Sequence, residues 1–156
     1  NWREKNLKKT KQNLKKYEIN STFFDMSLVD QSIFYPRNQK NISNKVYIYD
    51  GQYRFSRPDT YGAQYFGIIK KRLPQFQYLF SSSINIPYQL MGDFYNKVFI
   101  VVRLTCNDGN ANTIQEAEAM GIPAIHNISD YGLKWKSIDD VINHIKEAYD
   151  KQLLGK

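Results

Sequence analysis

The sequence predicts an α/β fold, a Rossmann-like parallel sheet with helices on both faces, formed by residues 45–156 behind a basic lead-in and packing segment at residues 1–44. Three observations predict it. From about residue 45, short β-branched or aromatic runs alternate with helix-length segments, the pattern of βαβ units. Residues 98–102, Val-Phe-Ile-Val-Val, are continuously apolar, as a central strand covered on both faces must be. The helical segments end at Pro74 and at Gly121 with Pro123 beyond, both of them stop signals.

The first strand is expected at residues 46–49, closing on the turn signal Asp50-Gly51. Residues 61–73 read as a helix whose last turn carries Lys70, Lys71 and Arg72, where cations complement the carbonyl end of the helix dipole. A second strand at residues 77–80 leads into the polar loop Ser81-Ser82-Ser83, after which a helix opens near Pro87 and closes near Asn96. After the third strand, residues 98–102, comes a short helix. Thr113 and Glu116 stand at capping-box spacing at its start, and Gly121 marks its end. The fourth strand is residues 124–126. The last helix starts at Ser137 with Asp139 and Asp140 in its first turn and runs to about Tyr149. Residues 17–44 hold Phe23, Phe24, Ile33, Phe34 and Tyr35 without a clean period, so the sequence leaves their structure open.

Composition narrows the function classes. The chain has 156 residues, 42% of them hydrophobic and 15% aromatic, enough for one core and too apolar for disorder. One cysteine, Cys106, rules out an intrachain disulfide, and with only His126 and His144 beside it a structural zinc site has no ligand set. No apolar run approaches the roughly 18 to 20 residues of a membrane-spanning helix, so the chain is expected to be soluble and cytoplasmic. It opens on Asn1, not Met, which reads as a processed form or a segment of something longer. The net charge of +7 is uneven: residues 1–16 hold seven of the 22 basic and one of the 15 acidic side chains, leaving 15 and 14 over the remaining 140 residues. The folded part therefore has little global field to attract a polyanion, and a nucleic-acid or anionic-lipid role would rest on the arm alone.

Chemistry is expected at the carboxyl ends of the strands, where helix N-termini and their amides point to one edge of an open parallel sheet. The strand ends deliver Asp50 and Gly51, then Ser81 to Ser83, then Arg103, Thr105 and Asp108, and finally His126 and Asn127. The densest stretch runs from Arg103 to Glu116. Gly109 and Ala111 would let a ligand approach the main chain, the amides of the following helix would donate to phosphate oxygens, and Arg103 would neutralise a diphosphate. The same residues also read as a tight turn at Asn107-Asp108-Gly109 and a capping-box pair of Thr113 and Glu116. His126 reads as structural, His144 as a surface residue and Cys106 as a bystander.

The run Glu116-Ala-Glu-Ala-Met-Gly-Ile-Pro123, preceded by Asp108-Gly109 and a strand ending in Leu104-Thr105, resembles the donor-binding signature of GT-B glycosyltransferases. More narrowly, it resembles the retaining group that includes sucrose and glycogen synthases. In that group two acids are separated by seven residues, and the second opens a helix reading Glu-Ala-x-Ala-x-Gly-x-Pro. Here Glu116 matches the second acid. Asp108 stands in place of the first Glu, and Leu104 in place of the proline of the strand end. The likeness covers residues 76–132 by motif and residues 45–75 by topology alone.

The resemblance implies a nucleotide-sugar donor of UDP, GDP or ADP type, with no separate cofactor and no metal. It assigns Glu116 to the ribose hydroxyls, the loop of Gly109, Asn110, Ala111 and Asn112 to the diphosphate, and Asp108, the catalytic candidate, to the donor sugar. Arg54 and Arg57 lie where the family keeps a diphosphate-binding Arg, and Arg103 is the further candidate cation. The family's lysine near the helix start is replaced by Thr60 and Tyr61. A complete enzyme of this kind needs two such domains, so the expected partners are a nucleotide sugar, a glycan or other acceptor, and an N-terminal acceptor domain that this chain has no room for. Transfer with retention is implied. The competing expectation is a noncatalytic Rossmann-like binding module whose basic arm takes a polyanion.

Overall fold

Ile100, Val101 and Val102 are completely buried, and the strand they form is paired on both sides, which is why no polar residue interrupts it. The computed structural model describes residues 29–36, 42–51, 58–105, 111–127 and 131–155, together with residue 12. Its strands are β1 (Lys45–Ile48), β2 (Gln77–Phe80), β3 (Ile100–Val102) and β4 (Ala124–Ile125). Its helices are α1 (Pro58–Tyr61), α2 (Ala63–Arg72), α3 (Met91–Tyr95), α4 (Asn112–Ala119) and α5 (Ile138–Leu154). The four strands form one all-parallel sheet in the order β2-β1-β3-β4, a Rossmann-like α/β arrangement.

Strand alternation divides the core between the two faces of the sheet. Val46, Ile48, Ile100, Val102 and Ile125 meet Phe66 and Ile69 of α2 and Val141, Ile142 and Ile145 of α5. On the other face Tyr47, Val101 and Ala124 meet Phe94 and Tyr95 of α3 and Ile114 and Ala117 of α4. Phe34, from the stretch whose pattern was unreadable, closes this second layer at 1% exposure. A turn started by Asp30 holds it there, with Asp30 Oδ1 accepting from the backbone and hydroxyl of Ser32.

Several elements differ from the expectation for local reasons. Residues 98 and 99 precede β3 as a buried approach, with the Phe99 amide donating to the Lys45 carbonyl at 3.1 Å. The helix expected over residues 61–73 is two helices, broken at Gly62, whose φ is 69°. A Cβ there would stand 2.6 Å from the Leu104 Cβ, so the chain can pass this close to the end of β3 only as glycine. The helix expected from Pro87 is a single 3₁₀ turn at Tyr88–Leu90 followed by α3.

The start of α4 is also corrected. Its N-cap is Ala111, and Thr113 lies inside the helix with no side-chain cap present. Thr113 and Glu116 are therefore not a capping box, because the hydroxyl of a residue already in helical conformation is not directed at the first free amides. The far end behaves as expected: the Ile122 amide donates to the Ala117 carbonyl and the Gly121 amide to the Glu118 carbonyl, a Schellman closure with Gly121 in the left-handed conformation. A capping box does form on α5. Ser137 accepts from the Asp140 amide, and Asp140 accepts from the Ser137 amide.

Candidate functional site

Strand order reverses between β1 and β3, because β1 leads to β2 on one side and β3 to β4 on the other. In open parallel sheets the crevice outside the carboxyl ends at such a reversal is where ligands bind. Arg103 and Tyr49 bridge it. The Arg103 guanidinium carbon lies 3.7 Å from the centroid of the Tyr49 ring, and Nη1 donates to Thr113 Oγ1 at 3.0 Å. At 7% exposure Arg103 is a buried cation beside the start of α4, placed by packing as well as by charge.

Glu116 lies one turn into α4 and is half-buried. Its Oε2 accepts a 2.9 Å hydrogen bond from the hydroxyl of Tyr95 on α3, so the carboxylate turns away from its own backbone and toward the second core layer. Burial holds the Glu116 carboxyl above the usual range, against the opposing pull of the Tyr95 hydrogen bond and of Arg103. The Tyr95 hydroxyl, completely buried and beside Glu116, is pushed well above its ordinary value and stays a donor. Burial, with Glu116 as the next cause, raises Tyr47 as well.

The strand ends on the β2 side are tied together. Asp50, fully buried after β1, accepts from the Ser81 hydroxyl at 2.7 Å, the Ser82 amide at 2.8 Å and the Ser82 hydroxyl at 2.6 Å. These bonds fix the loop after β2 to the end of β1 and give the Ser81–Ser83 stretch a structural use. His126, at the end of β4, is fully buried and its imidazole is pushed down to about 4, first by burial and then by Lys134. It is neutral at physiological pH, in line with the structural reading. Asn127 brackets Trp135, accepting from its amide at 3.0 Å and donating to its carbonyl at 2.7 Å. His144 is not a free surface residue as expected: it is half-buried, with Nε2 2.7 Å from the Lys134 carbonyl oxygen.

Of the residues singled out in the sequence, the structure brings Arg103, Thr113 and Glu116 to one place. Ala111 is buried as the N-cap, and Asn112 is exposed as the first residue of α4. Asp108, Gly109, Asn110, Arg54, Arg57 and Cys106 lie outside the described residues, as does the basic arm except residue 12. Three tyrosines of the site were missed: Tyr49 under Arg103, Tyr95 on Glu116, and Tyr88, which feels the charge of Glu116. With 12 tyrosines in the chain, only the position of Tyr49, next to the strand-end Asp50, could have singled one out.

Among the described residues no three His, Cys, Asp or Glu side chains gather to hold a metal ion, and no helix is long and apolar enough to cross a membrane. A groove of about 340 Å³ lies at the opposite edge, where residues leading into β3 and β4 line it with Met120 and Lys151, away from the cluster of Arg103 and Glu116. Comparison with family models, curated proteins and solved structures found no match.

Proposed function

We propose that this chain is the donor-binding half of a glycosyltransferase, which holds a nucleotide-diphosphate sugar at the crevice between β1 and β3 and supports glycosyl transfer with retention. The observation that carries this reading is the setting of Glu116. Its carboxylate is turned out of its own helix to Tyr95, in the field of Arg103, one turn into a helix whose N-cap residue, Ala111, makes no side-chain cap, at the point where strand order reverses. With the capping-box explanation removed, that acid is left for a ligand, and a carboxylate can accept from two vicinal ribose hydroxyls at once.

The remaining roles follow from the chemistry. When the bond between the sugar and the diphosphate breaks, negative charge grows on the leaving oxygen. The amides of Asn112 and Thr113 at the start of α4, with the Arg103 cation behind them, oppose that charge without needing to reorganise. By the resemblance, Asp108 contacts the donor sugar and Gly109 and Asn110 extend the amide cradle, with Arg54 and Arg57 as further cations. The acceptor and the rest of the catalytic apparatus belong to a second domain, so the chain alone binds donor weakly and transfers little.

Calorimetric titration with UDP, GDP and ADP tests the reading. At least one is expected to bind, with Glu116→Ala weakening it about tenfold or more, as loss of a charged hydrogen-bond acceptor does. Absence of binding by all three, or indifference to Glu116→Ala, contradicts it. The alternative, a noncatalytic module working through its basic arm, draws on the seven cations in residues 1–16. Deleting those residues would abolish a steep salt dependence of polyanion binding and leave a donor site intact.

A further inference from the structure

Three of the seven large hydrophobic side chains exposed among the described residues, Ile42, Leu153 and Leu154, lie at one end of the molecule. Leu153 and Leu154 close α5, and Leu154 is 85% exposed. Ile42 is held beside them because Gln152 clasps the next residue, accepting from the Ser43 amide at 2.7 Å and donating to the Ser43 carbonyl at 2.9 Å. The groove of about 340 Å³ opens at the same end, with Ala148, Lys151 and Gln152 of α5 lining it beside Val98, Phe99 and Ile122. An exposed apolar cluster next to an apolar recess marks an interaction surface. It lies at the amino edge of the sheet, away from Arg103 and Glu116.

The charges around this surface point to its occupant. The last turns of α5 expose two acids, Glu147 and Asp150, and two bases, Lys146 and Lys151. Such a surface has no net field to draw in a partner of one sign, and its acids and bases match those of its own copy laid antiparallel. We propose that this end is the interface of a symmetric homodimer, in which Leu154 of each copy enters the groove of the other. A two-fold axis beside residues 150 and 151 sets Lys151 of each copy against Asp150 of the other. Leu154 follows Lys151 by three residues, on the same flank of the helix, and so lies over Ala148 and the groove of the opposite copy. The crevice between β1 and β3 stays open in both copies, which makes this proposal independent of the function proposed above.

Sedimentation equilibrium of the full chain from about 5 to 500 μM reads the association directly, and the chain is expected to pass from monomer to dimer across that range. Leu154→Asp weakens the dimer by about tenfold or more, since a carboxylate cannot follow the leucine into an apolar groove. Asp150→Lys and Lys151→Asp test the interface without touching Leu154. Each sets like charges against one another and weakens its own homodimer by about threefold or more, while an equimolar mixture of the two restores the parent's affinity. A chain that stays monomeric throughout overturns the proposal and leaves this end to another occupant. A dimer indifferent to Leu154→Asp overturns it by placing the contact elsewhere, and a mixture no tighter than the single variants overturns the two-fold pairing.

Discussion

The Tyr95 hydroxyl donates a 2.9 Å hydrogen bond to Glu116 Oε2, joining α3 to α4 across the second core layer. The bond has two consequences. It anchors one carboxylate oxygen, and it favours the charged form of an acid that burial raises.

Tyr95→Phe keeps the ring that packs on Phe34 and Tyr47 and removes only the donor. The Glu116 carboxyl then rises further, because one of the two influences lowering it is gone. If the carboxylate accepts ribose hydroxyls as proposed, affinity falls as pH drops through the carboxyl's value, and in the variant the fall begins at higher pH. Titrating the bound nucleoside diphosphate from pH 8 to pH 5 checks this; identical profiles for the two proteins would contradict it.

Gly62→Ala tests the close approach of the α1–α2 break to the end of β3. The left-handed conformation costs an alanine about 1 to 2 kcal/mol, and the contact with Leu104 adds to it. Urea unfolding should show a lower midpoint at an unchanged slope. An alanine variant as stable as the parent would mean that the helix is continuous over residues 61–73.

His126 makes stability depend on pH with a definite sign. Its value in the folded chain, about 4, lies below the ordinary 6.5, so the unfolded chain binds more protons between them. The stability this neutral imidazole contributes is fully present above about pH 6.5 and is lost as pH falls toward 4. Glu116, raised on folding, acts in the opposite sense, losing stability as pH rises through its own value. Comparing urea unfolding of the parent and His126→Gln at pH 7 and pH 5 isolates the histidine: the parent loses more stability than the variant. An equal loss would remove His126 from the account.

Much of the sheet was legible because its signals are local. The apolar run at residues 98–102 marked a strand paired on both sides, and Gly121 with Pro123 marked the end of α4. Ser137 with acids in the next turn marked the start of α5. The misreadings arose where a distant residue decides. Gly62 breaks a helix because Leu104 is beside it, and the Thr113 hydroxyl oxygen accepts from Arg103 instead of capping α4. The ring chain from Tyr88 through Phe34 to Tyr95 joins segments far apart in sequence, so no spacing rule could have exposed it. Arg103 and Glu116 were readable as candidates from their positions alone, but their settings on Tyr49 and Tyr95 were not.

The most direct test is a residue-resolved one: amide chemical shifts of the isotopically labelled chain, followed while UDP, GDP or ADP is added. The account predicts that the Asn112 and Thr113 amides shift together with the Tyr95 and Glu116 signals, and that Glu116→Ala abolishes the response. Shifts confined to the opposite groove around Phe99 and Lys151, or none with any of the three nucleotides, would contradict it.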